Sequence, residues 1–175
     1  MYKFIKKKYK YIFIFIILFV TELLFIDMHF DGVLLRNRWY IIRPAEKNDY
    51  QMDVYYGIQQ QGINVGMLKI GDGVGQTFYI ENTEDNLYKI MFGNENFCVS
   101  VDNDGYNVVI EKYEGKNSQL WKINRVNNSD SFYINNLEYD RMITYDYIEE
   151  VNYYTIVVKD YKNQSELNEF RMLIQ

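Results

Sequence analysis

The feature that most restricts this chain is a short motif that occurs three times. Ser118-Gln119-Leu120-Trp121-Lys122-Ile123 has an earlier echo in Gly75-Gln76-Thr77-Phe78-Tyr79-Ile80 and a later one in Leu167-Asn168-Glu169-Phe170-Arg171-Met172. Gln76 and Gln119 are 43 residues apart, and Gln119 and Asn168 are 49 apart. Self-similarity at that period is the mark of a fold built from repeated supersecondary units. Short runs rich in Tyr, Ile, Val and Phe, punctuated by Asn, Asp and Gly, precede each echo in the same order. They read as strands, with no sustained period of 3.6.

The first unit gives strands at 39–43, 51–54, 64–69 and 76–80, and the second at 87–92, 97–101, 107–113 and 119–123. The third gives strands at 132–135, 141–145, 155–161 and 168–173. Three units of four strands make an all-β chain. Three blades would fall short of the ~4–8 that close a propeller, so the threefold count favours a closed barrel with hairpins over its mouth.

On these residues the chain resembles the ricin-type β-trefoil lectins, especially their small exported bacterial members. The resemblance rests on Gln119-x-Trp121, on Gln76-x-Phe78 and Asn168-x-Phe170, and on Asn64-Val65 and Asn107-Val108. The opening Trp39-Tyr40-Ile41-Ile42, followed by Met52-Asp53-Val54, adds to it. It implies a β-trefoil over residues 38–175, with repeats at about 38–82, 83–126 and 127–175 and a linker at 31–37. It also implies that Trp121, Phe78 and Phe170 pack in the core while Gln119, Gln76 and Asn168 hold each repeat locally. Those roles are structural and speak to fold more than to function.

For a sugar site the resemblance implies an Asp at the end of the second strand, a stacking aromatic on the third and an Asn before the motif Gln. Carboxylate and amide groups satisfy hydroxyls, and an aromatic face covers the apolar side of the ring. The three places fall on Asp53, Leu68 and Gly75 in the first repeat, on Ser100, Glu111 and Ser118 in the second, and on Thr144, Lys159 and Leu167 in the third. No repeat has the full set. The first repeat is the leading candidate, with Asp53, Tyr55, Tyr56, Asn64 and Gln76. Asp53 has two open readings, a ligand to sugar hydroxyls or an acceptor for the Gln76 amide. A secondary candidate is Tyr145-Asp146-Tyr147, which faces Tyr153 and Tyr154 across the third hairpin. Tyr offers contact area at low entropic cost and suits sugar or protein alike.

The remaining inventory argues against catalysis. There is one His, His29, in the leader, and one Cys, Cys98, in an apolar strand-like run. Neither a His/Cys zinc set nor a Cys-His pair with an orienting partner can be assembled, and no phosphate-cradling Gly loop or nucleophile elbow is present. No cofactor or metal is expected. Ser100-x-Asp102-x-Asp104-Gly105 with Glu111 copies part of a calcium loop, but Asp104-Gly105 between two β runs is a hairpin signal.

Charge is divided along the chain. Residues 1–30 carry five Lys against Glu22 and Asp27, a local +3, which leaves −8 on residues 31–175. So acidic a body is not a nucleic-acid surface. The basic start followed by apolar Tyr11–Thr21 has the layout of a secretory signal. Tyr11–Ile26 would make roughly 24 Å of helix, short of a ~30 Å hydrocarbon core. A cleaved signal peptide and an N-terminal hydrophobic helix acting as a membrane anchor through 11–26 are both open, and both put the body outside the cytoplasm. The expected protein is an exported, non-catalytic lectin-like domain whose partners are glycans or a glycosylated surface. The alternative is a protein-interaction trefoil of the adhesin, toxin-associated or inhibitor-like kind.

Overall fold

The computed structural model describes residues 35, 37–71, 75–84, 86–93, 96–161 and 168–175. The expected N-terminal helix and leader lie outside these residues. Twelve strands run through the described part: β1 (Arg38–Pro44), β2 (Tyr50–Val54), β3 (Ile63–Lys69), β4 (Phe78–Glu84), β5 (Leu87–Phe92), β6 (Phe97–Val101), β7 (Val108–Lys112), β8 (Trp121–Arg125), β9 (Ser131–Asn136), β10 (Met142–Ile148), β11 (Tyr153–Lys159) and β12 (Phe170–Ile174). They correspond one for one to the twelve strands expected from the sequence.

Six of them close on themselves. β1 pairs with β4, β4 with β5, β5 with β8, β8 with β9, β9 with β12, and β12 returns to β1, all antiparallel. Closure removes every edge of this ring. The other six form the hairpins β2–β3, β6–β7 and β10–β11. These hairpins also meet one another, through β3 with β7, β3 with β11, and a bridge from Asn107 to Val157. A six-stranded barrel capped by a triangle of hairpins is the closed barrel that the threefold count favoured and the β-trefoil that the resemblance implied.

Alternation along the strands fills the barrel. Tyr40 and Ile42, Phe78 and Ile80, Tyr88 and Ile90, Trp121 and Ile123, Phe132 and Ile134, and Phe170 all point inward and are buried. Burying a large side chain of this kind contributes ~1.5–3 kcal/mol. The three motif aromatics, Phe78, Trp121 and Phe170, are each 0% exposed. The Trp121 indole N–H also donates to the Val99 carbonyl at 2.9 Å, so the one polar atom of this side chain is satisfied.

The motif glutamines each hydrogen-bond to backbone close by in the chain. Gln119 Nε2 donates to Lys112 O at 2.7 Å, while Oε1 accepts from the Glu114 N–H at 2.8 Å and the Lys116 N–H at 3.3 Å. Gln76 repeats the reach back of seven residues, donating to Lys69 O at 3.1 Å. Asn168 has the shorter side chain and does something else: its amide donates to the Thr144 hydroxyl. That difference bears on the site described next.

Candidate functional site

The register of the hairpins decides which residues of different repeats are equivalent. Asp53 stands opposite Gly66, Ser100 opposite Val109, and Thr144 opposite Val157. Two residues further out, Gln51 faces Leu68, Cys98 faces Glu111, and Met142 faces Lys159. These pairs lie on the outer face of each hairpin, because side chains two apart on a strand share a face. Met52, Val54, Val65 and Met67, on the other face of the first hairpin, are in the core. The three sets therefore occupy the same place three times over, with different chemistry each time.

In the first repeat Asp53 is only 2% exposed although it lies on the outer face. Loop 75–76 lies along β2, with the Val54 N–H donating to Gly75 O at 3.0 Å. A Cβ at Gly75 would sit 2.4 Å from Val54 O, so the expected Asn cannot occupy that place in this packing. The Gln76 carbonyl accepts from the Gln51 amide, and Gln51 Oε1 in turn accepts from Arg43 Nε at 3.3 Å. Burial pushes the Asp53 carboxyl up to about 6 from an ordinary 3.8, against the opposing pull of the Gly75 N–H and the Gln76 side chain. Its Oδ2 has no partner.

Tyr55 and Tyr56 stand outside this pocket. They are 43% and 73% exposed, with ring centroids 4.2 Å apart. Tyr56 takes φ 55° and ψ 14°, a left-handed conformation that is costly for a bulky residue. Asn64 is exposed on the same outer face as Gly66. The structure thus joins Asp53 to Gln76 and leaves Tyr55, Tyr56 and Asn64 around the rim. Between Tyr55 and Gly66 lies the ring of Tyr153 from the third repeat, at 5.6 Å from the Tyr55 centroid.

The secondary candidate is divided by strand alternation. Tyr145 and Tyr147 share the inner face of β10 and meet Tyr154, at 5.8 and 5.0 Å between centroids. The Lys47 ammonium lies 4.9 Å from the Tyr154 centroid, and Tyr50 closes the group at 5.1 Å. Asp146 points the other way. It accepts from Lys159 Nζ at 2.5 Å and from the Tyr106 hydroxyl at 2.6 Å. Burial resists its ionisation, but these two donors outweigh it and hold the carboxyl below its ordinary value.

An open cavity of about 240 Å³ lies on this outer face in the third repeat. Thr144, Lys159, Asp160, Tyr161 and Asn168 line it over Met142 and Ile143. Thr144 and Lys159 stand at the places that the resemblance assigns to Asp and to the stacking aromatic; Leu167 lies outside the described residues. Read against the expected set these residues count as losses, yet together they make a pocket. Thr144 and Asn168 supply a hydroxyl and an amide, and Lys159 is a cation steadied by Asp146. Asp160 is an anion 3.2 Å from Arg141 Nε, and Tyr161 is a half-exposed ring. Hydrogen-bonding groups around an apolar floor with one aromatic face suit a hydroxylated ring. The signal for this site in the sequence is that Thr144 and Asn168 are both polar at their places.

In the second repeat the Ser100 hydroxyl donates to Val101 O, and the acidic run beside it forms a turn. Asp102 accepts from the Asn107 amide at 3.1 Å, and its carbonyl accepts from the Gly105 N–H at 3.0 Å. Among the described residues no group of three or more His, Cys, Asp or Glu is placed to hold a metal ion.

Comparison with known proteins agrees with this geometry. No curated protein matches the chain. Among solved structures, the designed threefold symmetric protein ThreeFoil superposes with a TM-score of 0.68 at 16% identity, covering 78% of this chain and 99% of that one. A mosquitocidal holotoxin gives 0.69 at 19% identity, covering 81% of this chain and 18% of the toxin. The Polyporus squamosus lectin, bound to the epitope Neu5Aca2-6Galb1-4GlcNAc, gives 0.60 at 16% identity over 78% of this chain and 49% of the lectin. At these identities the likeness is one of fold. Residues 74–147 match the sequence model of the family described as "Ricin-type beta-trefoil lectin domain-like". Three Gln-x-Trp-type repeats, a threefold barrel and these superpositions agree on a β-trefoil fold, and over residues 74–147 the chain is similar to the ricin-type β-trefoil lectin-like family.

Proposed function

We propose that this chain is an exported, non-catalytic carbohydrate-binding module whose open site is in the third repeat. The observation that carries the reading is the 240 Å³ cavity at the place where the fold family would hold a sugar. Its size is below the ~300–1,000 Å³ typical of pockets for drug-sized ligands and suits one saccharide ring. Thr144 and Asn168 bind ring hydroxyls, Lys159 donates to hydroxyl or carboxylate oxygens, and Tyr161 covers the apolar face. The basic-apolar leader supports a site of action outside the cytoplasm, and the scarcity of His and Cys supports binding without catalysis.

A glycan array probed with the purified chain tests this, with sialylated and neutral galactose-containing glycans as the first probes. Binding is expected, and it should weaken by ~10-fold or more in Thr144→Val, which removes the hydroxyl and with it the acceptor that positions the Asn168 amide, and in Lys159→Met. An array with no binding would sink the reading. A second reading, a protein-interaction trefoil, draws on the exposed Tyr55, Tyr56 and Ile58 beside Tyr147 and Ile148. It predicts a stable complex with a partner protein that survives Thr144→Val and Lys159→Met and is lost in Tyr56→Ala.

A further inference from the structure

We infer that the first-repeat site is filled from within: the phenol ring of Tyr153, carried by the third repeat, occupies the position of a sugar ring between Asp53 and Tyr55, and removing it uncovers a second site for hydroxylated rings.

Four observations carry this inference, and none depends on the third-repeat cavity. The first is a substitution among equivalents. Where the second and third repeats have Val109 and Val157, the first has Gly66. The absent side chain leaves a space on the outer face directly beside Asp53. The second is what fills it. The Tyr153 hydroxyl oxygen lies 1.7 Å from the point where a Cβ at Gly66 would be, and its Cζ lies 2.1 Å from that point. Gly66 and Tyr153 therefore fit as a pair, and no other residue at 66 admits this ring position.

The third observation is polar. Four buried side-chain N or O atoms among the described residues lack a partner, and two of them are Asp53 Oδ2 and the Tyr153 hydroxyl. Both belong to groups packed on Gly66, one across the hairpin and one above it. Buried polar groups are nearly always paired, so two orphans in one place mark a position built for something other than what occupies it. A phenol has one hydroxyl, whereas a saccharide ring presents several to the same carboxylate. The fourth observation is the other wall. Tyr55 meets the Tyr153 ring at 5.6 Å between centroids with the two planes nearly perpendicular, and it is itself 43% exposed, an aromatic at the rim of the position. The occupant thus sets an aromatic ring against Tyr55 and its hydroxyl over Gly66, across the hairpin from the unpartnered Asp53 carboxylate oxygen.

The attachment of β11 to β3 beside this point is short, through Tyr154 with Met67 and Thr155 with Gly66. Tyr153 is the first residue of β11 and follows Asn152, which takes φ 50° and ψ 49°. The ring is a terminal insertion and not the centre of a ladder, so trimming it leaves the paired residues in place.

The test is an amide NMR titration of the full chain with D-galactose, D-mannose and N-acetyl-D-glucosamine. In the unaltered chain and in Tyr153→Phe, the amides of Asp53, Gly66 and Gly75 should stay unmoved by all three sugars. In Tyr153→Ala, and in Tyr153→Thr, which keeps a strand-forming residue, at least one sugar should produce saturable shifts there, lost again in Tyr153→Ala/Asp53→Ala. Saturable first-repeat shifts in the unaltered chain would overturn the inference, as would their absence in the two trimmed variants or failure of both to fold. Shifts at Thr144, Lys159 and Asn168 report the third-repeat reading separately, so either conclusion can fail without the other.

Discussion

Asp53→Asn gives the most direct test of the physical picture of the first repeat. The carboxyl is buried, one of its oxygens is unpartnered, and its titration is raised from 3.8 to about 6. A shift of roughly two units at ~1.4 kcal/mol each amounts to about 3 kcal/mol. The folded chain holds this proton to higher pH than the unfolded chain does, so unfolding releases a proton between about 3.8 and about 6. Stability therefore falls as pH rises through that window. The cost is absent below it and complete above it.

Asn has nearly the same shape and no charge. Its Oδ1 keeps the Gly75 N–H, and its Nδ2 can donate to the Tyr153 hydroxyl, so both orphans gain a partner. Urea denaturation should find Asp53→Asn more stable than the parent by about 2 kcal/mol near pH ~8, with equal stabilities near pH ~3 and no change in m-value. The comparison of two variants at each pH cancels every other titrating group. A difference independent of pH, or destabilisation near pH ~8, would refute the claim that Asp53 is an ionised, under-satisfied group kept at a cost to stability.

Other expectations follow from the same packing. Gly75→Ala should lose about 2–3 kcal/mol, because its Cβ would meet the backbone of Val54; Gly66→Ala should lose less, because its obstacle is the movable Tyr153 side chain, and urea melts of the two separate these cases. Gln119→Ala should lose at least about 2 kcal/mol by stranding two N–H groups and a carbonyl, measured by the same melts. Cys98 is 0% exposed with its thiol pushed up to about 12, first by burial, then by Glu111, so iodoacetamide should modify it only as fast as the chain opens. Rapid alkylation of the folded chain would contradict that placement.

The sequence by itself determined the barrel. A twofold alternation of apolar residues in twelve runs, with Gln76, Gln119 and Asn168 at matched points, admits few closed arrangements, and each motif aromatic had to be inside. Even the failure of each repeat to keep a complete sugar set was legible residue by residue. What the sequence did not fix is the order of merit of the repeats. Asp53, the one retained carboxylate, marked the first repeat as the best site, yet its pocket is filled by Tyr153, one hundred residues further along the chain. Nothing local to β2 or β3 signals that, apart from a glycine at 66 where the other repeats have valine.

In the third repeat Thr144, Lys159 and Asn168 look like losses in the sequence. They become a cavity only because β10, β11 and the segment before β12 bring them together. Local pattern governs which face of a strand is buried, whereas occupancy of an outer face depends on which neighbour leans on it. That choice belongs to the tertiary structure, because it is made between hairpins distant in sequence, by shape and by unsatisfied polar groups.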